Sequence, residues 1–236
     1  MTGEGRAAPR PEPDEGPRPE PGEGLRPELD EGPRLRLFVA VELADAWKAA
    51  FADHQARLRR RLQDEAPHLR LRYVRPEGIH LTLKFLGETP ASRLPSIESA
   101  LGQAVPHPPD LRLAVGRVGS FSDRRGPGVV WAGVAADAEA LRRLRLLVER
   151  LETWLASAGF SRDRQGGFTP HLTLARLPDG MSQRDREVVV RASSEISLSR
   201  LEPMTIAFVS LMQSRLGPGG ARYERLGRFP AGPSGE

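Results

Sequence analysis

Two short segments of this 236-residue chain carry the same four residues, His-Leu-Thr-Leu, at 80–83 and 171–174. The chain has only five histidines, so chance repetition of a motif that begins with histidine is improbable. Side chains alternate between the two faces of a β-strand, so each histidine shares a face with its threonine and the leucines point the other way. The sequence therefore predicts two strands that each present an imidazole and a hydroxyl, with leucines buried beneath them.

The elements predicted around these segments repeat the order strand, helix, strand, strand. Hydrophobic periodicity and turn residues place strands at 36–43, 69–74, 79–85, 111–118, 129–134, 171–176, 205–213 and 223–226, and helices at 44–61, 91–104, 138–158 and 182–193. This order predicts an α+β fold in which two similar halves pack as one domain.

The ends of the chain differ in composition from its middle. Residues 1–34 hold 8 of the 22 prolines and 9 acids against 5 arginines. Such a segment has too little apolar surface to offset its ordering entropy, so 1–34 is predicted to be a disordered tail, with a docking or autoinhibitory arm as the alternative. A frayed end is expected at 231–236, which leaves 35–230 as the folded domain.

Composition excludes several classes of protein. The absence of cysteine excludes disulfides, thiolate metal sites and a cysteine nucleophile. No apolar run is long enough for a transmembrane helix, and the N-terminus does not look like a secretory signal, so no membrane association is expected and the cytoplasm is the expected location. Residues 35–236 carry a net charge of +8, which fits a polyanionic partner, and a monomer is the default expectation.

A pair of histidines facing one groove suits phosphoryl chemistry. An unperturbed imidazole has a pKa of about 6.5, so one neutral ring can accept a proton from water while one protonated ring donates to a leaving oxygen. The neighbouring hydroxyls can bind phosphate oxygens. Each motif alone would suit an ordinary strand, and the residues do not say which histidine takes which role. The motifs lack the further ligand that a catalytic zinc needs, and no nucleotide-binding glycine fingerprint occurs, so no metal and no cofactor is expected.

The chain resembles the two-histidine phosphoesterases, specifically the bacterial and archaeal RNA 2′,3′-cyclic phosphodiesterases, also called 2′–5′ RNA ligases. The resemblance spans about 35–230 and is carried by residues 36–41, 78–87, 130–134, 168–176 and 209–211, with Ser214 and Tyr223. The acidic tail and the Gly-Pro-Gly-Gly turn depart from the family pattern, and neither touches the two motifs.

The resemblance implies a bilobal fold, with two pseudo-symmetric antiparallel sheets around a central groove and helices outside. It also implies hydrolysis of a terminal 2′,3′-cyclic phosphate to a 2′-monoester, with RNA, including tRNA fragments, as partner. By the family pattern His80 is the proton donor and His171 the proton acceptor, while Thr82 and Thr173 hold the phosphate.

Six further residues are candidates for binding substrate. Lys84 is placed on the groove face by strand alternation, Arg176 reaches the groove only if its strand ends or bulges, and Arg125 lies in a Gly/Pro loop. Phe121, Phe168 and Tyr223 are candidates for stacking on a terminal base, each against the alternative of an ordinary core aromatic.

Three other functions remain open at this point. The reverse reaction would make a 2′–5′ RNA ligase, which concentrated water disfavours unless the two ends are held together. A non-catalytic RNA- or nucleotide-binding module would use the same groove without turnover, and a small-nucleotide cyclic phosphodiesterase would prefer mononucleotides.

Overall fold

A computed structural model describes residues 32–109, 111–121, 128–135, 137–163, 168–198, 201–217 and 220–230. The predicted tail up to residue 31, the loop with Arg125 and the C-terminal segment 231–236 lie outside the described residues. None of the described helices is both long and apolar enough to cross a membrane.

The described residues form four α-helices and nine strands. The strands are β1 (Arg34–Glu42), β2 (Arg72–Tyr73), β3 (His80–Pro90), β4 (Leu111–Phe121), β5 (Val129–Ala135), β6 (His171–Arg176), β7 (Met204–Ile206), β8 (Val209–Gly217) and β9 (Gly220–Phe229), and the helices are α1 (Asp45–Glu65), α2 (Leu94–Ala104), α3 (Ala138–Ser157) and α4 (Gln183–Ser194). The α+β class is confirmed.

The sheet joins two similar halves at one point. Strand order is β7-β4-β5-β6-β3-β1-β8-β9, and all the pairings are antiparallel, with β2 also pairing with β6. The strands β3 and β6, which carry the two motifs, meet at the middle of this order through the single pair Leu81 and Leu172. Along the chain, β1, α1 and β3 correspond to β5, α3 and β6, so the order strand, helix, strand occurs twice.

The two faces of the sheet have different partners. One face, called the helix face below, carries apolar side chains such as Val39, Leu81 and Leu172, which pack with α2 and α3 in the main hydrophobic cluster. Helices α1 and α4 cover a second cluster on the same face, which includes Val130 and Ala175. The opposite face, called the groove face, carries the motif histidines and threonines, and a small buried group of Phe38, Ala40 and Met212 with Tyr223 packed against it.

The predicted strand 205–213 is two strands in the structure. Residues Met204–Ile206 form β7 and pair with β4, whereas Val209–Gly217 form β8 and pair with β1. The strand is interrupted because the chain passes from one half of the sheet to the other between these residues. The predicted strand 69–74 is also shorter in the structure, where β2 covers Arg72–Tyr73 and pairs with β6.

Candidate active site

The pairing of β3 with β6 brings the two motifs together on one face. Because Leu81 lies opposite Leu172 in an antiparallel pair, the same register sets His80 across from Thr173, and Thr82 across from His171. The two histidines are then diagonal neighbours, and the Cα atoms of such neighbours lie roughly 7–8 Å apart in a regular antiparallel pair. The four predicted residues therefore form one cluster on the groove face, where each is partly exposed.

Each imidazole is oriented in the same way. The Nδ1 atom of His80 lies 2.8 Å from the carbonyl oxygen of Gly78, and the Nδ1 atom of His171 lies 2.8 Å from the carbonyl oxygen of Thr169. A carbonyl accepts only, so each Nδ1 donates a proton, and the neutral ring presents an unprotonated Nε2. Each Nε2 can then accept a proton, or donate one once the ring is charged.

Aromatic rings enclose His80. Its ring stacks on Phe38 at a centroid distance of 4.7 Å and meets Tyr223 edge-on at 5.0 Å. Tyr223 also contacts Phe38 edge-on at 5.4 Å, so the three rings support one another. Tyr223, a predicted candidate, thus lies beside the first histidine.

The surroundings of His80 shift its pKa in both directions. Burial is the largest effect and holds the pKa of His80 below its ordinary value of 6.5. The hydrogen bond to Gly78 and the charge of Glu42 raise the pKa, whereas the charges of Arg176 and His171 lower it. A charged His171 therefore disfavours the charged form of His80.

Glu42 provides the negative charge next to His80. It lies opposite His80 in the β1–β3 pair, and its carboxylate accepts hydrogen bonds from Ser210 and from Arg225, at 3.0 Å and 3.2 Å for the latter. Burial raises the pKa of Glu42, but these hydrogen bonds more than offset it and keep the pKa below its ordinary value. Glu42 was missed by the sequence analysis, because nothing in a strand sequence shows which residue of a neighbouring strand lies opposite.

The placement predicted for Lys84 is wrong. Thr82 pairs with Ala40 and Lys84 pairs with the adjacent Val39, so Leu83 is an extra residue, a β-bulge. The bulge breaks the alternation and turns Lys84 to the helix face, where it is 2% exposed.

The ammonium group of Lys84 is held there by three oxygen partners. It lies 2.8 Å from Glu152 on α3, 2.8 Å from Asp163 and 2.9 Å from the carbonyl oxygen of Ser161. These contacts use the donors that a phosphate would need, so Lys84 does not join the groove cluster.

The same irregularity in β6 brings Arg176 to the groove face. Trp131 pairs with Thr173 and Val130 with Ala175, so Leu174 is a bulge that matches Leu83. Arg176 is exposed, and its charge acts on His80. The bulge that the sequence analysis left open for Arg176 is therefore present.

The remaining aromatic candidates are placed differently. Phe168 packs against the main hydrophobic cluster, as in the ordinary core alternative. Phe121 ends β4, and its side chain lies outside what the structure describes.

Two further side chains have settings that the sequence does not reveal. Trp131 pairs with Thr173 on the groove face, and its indole lies against the backbones of Gly119 and Gly133. His54 has charged neighbours in sequence, yet it is fully buried and forms a 2.9 Å hydrogen bond with Ser193 on α4. Exposure of an isolated histidine cannot be read from its charged neighbours in sequence.

A site with two tethered imidazoles, two hydroxyls and an adjacent arginine defines an acid/base centre for phosphoryl groups, the class of the phosphoesterases. Within the described residues, no group of three or more His, Asp or Glu side chains is placed to hold a metal ion.

Comparison with known proteins agrees with this class. The family model for LigT-like phosphoesterases matches residues 47–131 and 134–223, so this chain belongs to that family. An RNA 2′,3′-cyclic phosphodiesterase of Archaeoglobus fulgidus is 31% identical over 197 residues, which cover 83% of this chain and 99% of that protein. One from Aeropyrum pernix is 32% identical and covers 74% of this chain and 96% of its own.

Solved structures show the same fold. TT0787 of Thermus thermophilus superposes with a TM-score of 0.56 at 26% identity, covering 83% of this chain and 97% of that protein. Escherichia coli LigT in complex with 3′-AMP superposes with a TM-score of 0.56 at 23% identity, covering 83% and 97%. The bilobal two-histidine phosphoesterase fold implied by the resemblance is confirmed.

Proposed function

We propose that this protein hydrolyses the 2′,3′-cyclic phosphate at the end of an RNA strand to a 2′-phosphomonoester. The observation that carries the proposal is the Leu81–Leu172 pair, which puts both His-x-Thr pairs on one accessible face. The relatives named RNA 2′,3′-cyclic phosphodiesterase support the substrate class.

The chemistry requires one proton to be taken and one to be given. In the proposed reaction His171 accepts a proton from water through its unprotonated Nε2 as the water oxygen attacks phosphorus. The bond from phosphorus to the 3′ oxygen breaks, and the 3′ oxygen takes a proton from the protonated Nε2 of His80. Once the 2′-monoester has formed, His171 is protonated and His80 is neutral. Loss of a proton from His171 to solvent and gain of one by His80 restore the starting state.

The other residues of the cluster stabilise charge. Thr82 and Thr173 donate hydrogen bonds to the non-bridging phosphate oxygens, and Arg176 adds a positive charge at the open side of the site. The bound phosphate also raises the pKa of His80, since a nearby anion favours the imidazolium. Substrate binding therefore supplies the protonated His80 that burial disfavours in the free protein.

The test is incubation with an RNA that ends in a 2′,3′-cyclic phosphate, with EDTA present. The expected product is the 2′-monoester, distinguished from the 3′-monoester by its resistance to a 3′-phosphatase. His80→Ala and His171→Ala should each lower kcat/KM by about 10²–10⁴-fold, with unchanged circular dichroism.

Three outcomes would contradict the proposal. They are an unprocessed cyclic phosphate, full turnover by either histidine variant, or binding of the RNA end without chemistry. A joined product from two paired RNA halves, in place of hydrolysis, would identify ligation as the activity.

A further inference from the structure

The short strand β2 adds a second arginine to the groove face. In the β2–β6 pair, Arg72 lies directly opposite Arg176, and Tyr73 lies opposite Ala175. Tyr73 and Ala175 pack in the cluster beneath α1 and α4, so the adjacent pair of arginines lies on the groove face. Both arginines are exposed. Two guanidinium groups are therefore cross-strand neighbours on the face that carries the histidines.

The charge of this arginine pair is not balanced by its neighbours. Like charges directly opposite each other on two strands destabilise a sheet. The strands β2, β5 and β6 contain no acidic residue, and neither Arg72 nor Arg176 forms an ion pair with another residue that the structure describes. A bound anion would remove the repulsion, and phosphate suits guanidinium groups because each can donate two parallel hydrogen bonds to it.

Strand β2 lies on the same side of β6 as the first motif. Because β5 pairs along one edge of β6, β2 and β3 both lie along the other edge. The register sets His80 across from Thr173, and Arg72 lies across from Arg176, further along β6. With Leu174 as a bulge, the positions of His80 and Arg72 are separated by roughly 7–10 Å along the strand direction.

We propose that Arg72 binds the phosphodiester that joins the terminal nucleotide to the rest of the RNA, and that this contact makes the enzyme prefer an RNA end to a free cyclic mononucleotide. The inference rests on the proposed function, in which His80 protonates the 3′ oxygen of the terminal ribose. That ribose then lies on the β3 side of the reacting phosphate, and its 5′ side continues toward β2. The separation between His80 and Arg72 is of the order of one nucleotide. A cyclic mononucleotide with a free 5′-hydroxyl has no charge to place beside Arg72.

The experiment compares two dinucleotides and one mononucleotide, all ending in a 2′,3′-cyclic phosphate. The dinucleotides differ only in their linkage, which is a phosphodiester in one and an uncharged methylphosphonate in the other. The mononucleotide has a 5′-hydroxyl. The wild type should prefer the phosphodiester dinucleotide, and added salt should reduce this preference. Arg72→Gln should lower kcat/KM by about 5- to 30-fold on the phosphodiester dinucleotide and leave the other two substrates unchanged.

Arg60→Gln is the matched control, because it removes the same charge from an exposed position on α1, which covers the helix face. It should leave all three rates unchanged. Equal loss on all three substrates in Arg72→Gln, or no loss on any, would overturn the inference, as would a wild type that does not distinguish the two linkages. A wild-type protein inactive on all three cyclic phosphates would instead refute the proposed function.

Discussion

Strand alternation places Lys84 on the groove face, whereas the structure buries it on the helix face. In Lys84→Met the apolar stem is kept while the ammonium group is lost, so Glu152 loses a partner at 2.8 Å and the carbonyl oxygen of Ser161 loses one at 2.9 Å. Breaking a buried ion pair from one side costs about 3–5 kcal/mol. Asp163, whose side chain is 66% exposed, can turn to water, so we expect the lower end, about 3 kcal/mol.

Equilibrium unfolding in urea, followed by circular dichroism, measures this loss as a lower midpoint at an unchanged slope. Lys48→Met is the control, because Lys48 pairs with the almost fully exposed Asp45 and should change the midpoint very little. Equal urea midpoints for the two variants would contradict the buried contacts of Lys84. If Lys84→Met also weakened binding of inorganic phosphate, the phosphate contact predicted from strand alternation would be supported instead.

Three further predictions follow from neighbours of the site and from the core. Glu42→Gln removes a charge that raises the pKa of His80, so the alkaline limb of the kcat/KM profile, where the free enzyme loses its acid, should move to lower pH; an unmoved limb would exclude Glu42 from this role. Gly119→Ala would put a Cβ 2.6 Å from the indole of Trp131, so tryptophan fluorescence should shift and stability should fall; an unshifted spectrum would contradict the contact. Burial lowers the pKa of His54 below that in the unfolded chain, so the unfolded chain binds more protons and stability should fall as pH drops below about 6.5. His54→Gln should flatten that slope in urea titrations at successive pH values, and an equally steep slope would refute the assignment.

The duplicated motif was sufficient to predict the centre of the fold. Period-two alternation put His80 and Thr82 on one face of a strand, and the same rule applied to His171 and Thr173. All four occupy the groove face, since no irregularity interrupts these short stretches. The four helices were also predicted close to their observed bounds because their apolar spacing is regular.

The bulges explain most of what the sequence analysis missed. Leu83 and Leu174 are ordinary strand residues, with no glycine or proline to signal an inserted position. One extra residue reverses the face of the residues that follow it, which sent Lys84 to the core and brought Phe85 and Arg176 to the groove. Cross-strand neighbours such as Glu42 were equally out of reach, because strand register is set by tertiary pairing.

The central claim is that His80 and His171 act as acid and base on opposite sides of one phosphate. Its most direct test uses a 2′,3′-cyclic phosphate whose 3′ bridging oxygen is replaced by sulfur, because a thiolate leaves without needing a proton. His80→Ala should regain most of the wild-type rate on this substrate, and His171→Ala should remain slow. Rescue of neither variant, or of His171→Ala alone, would contradict the assigned roles.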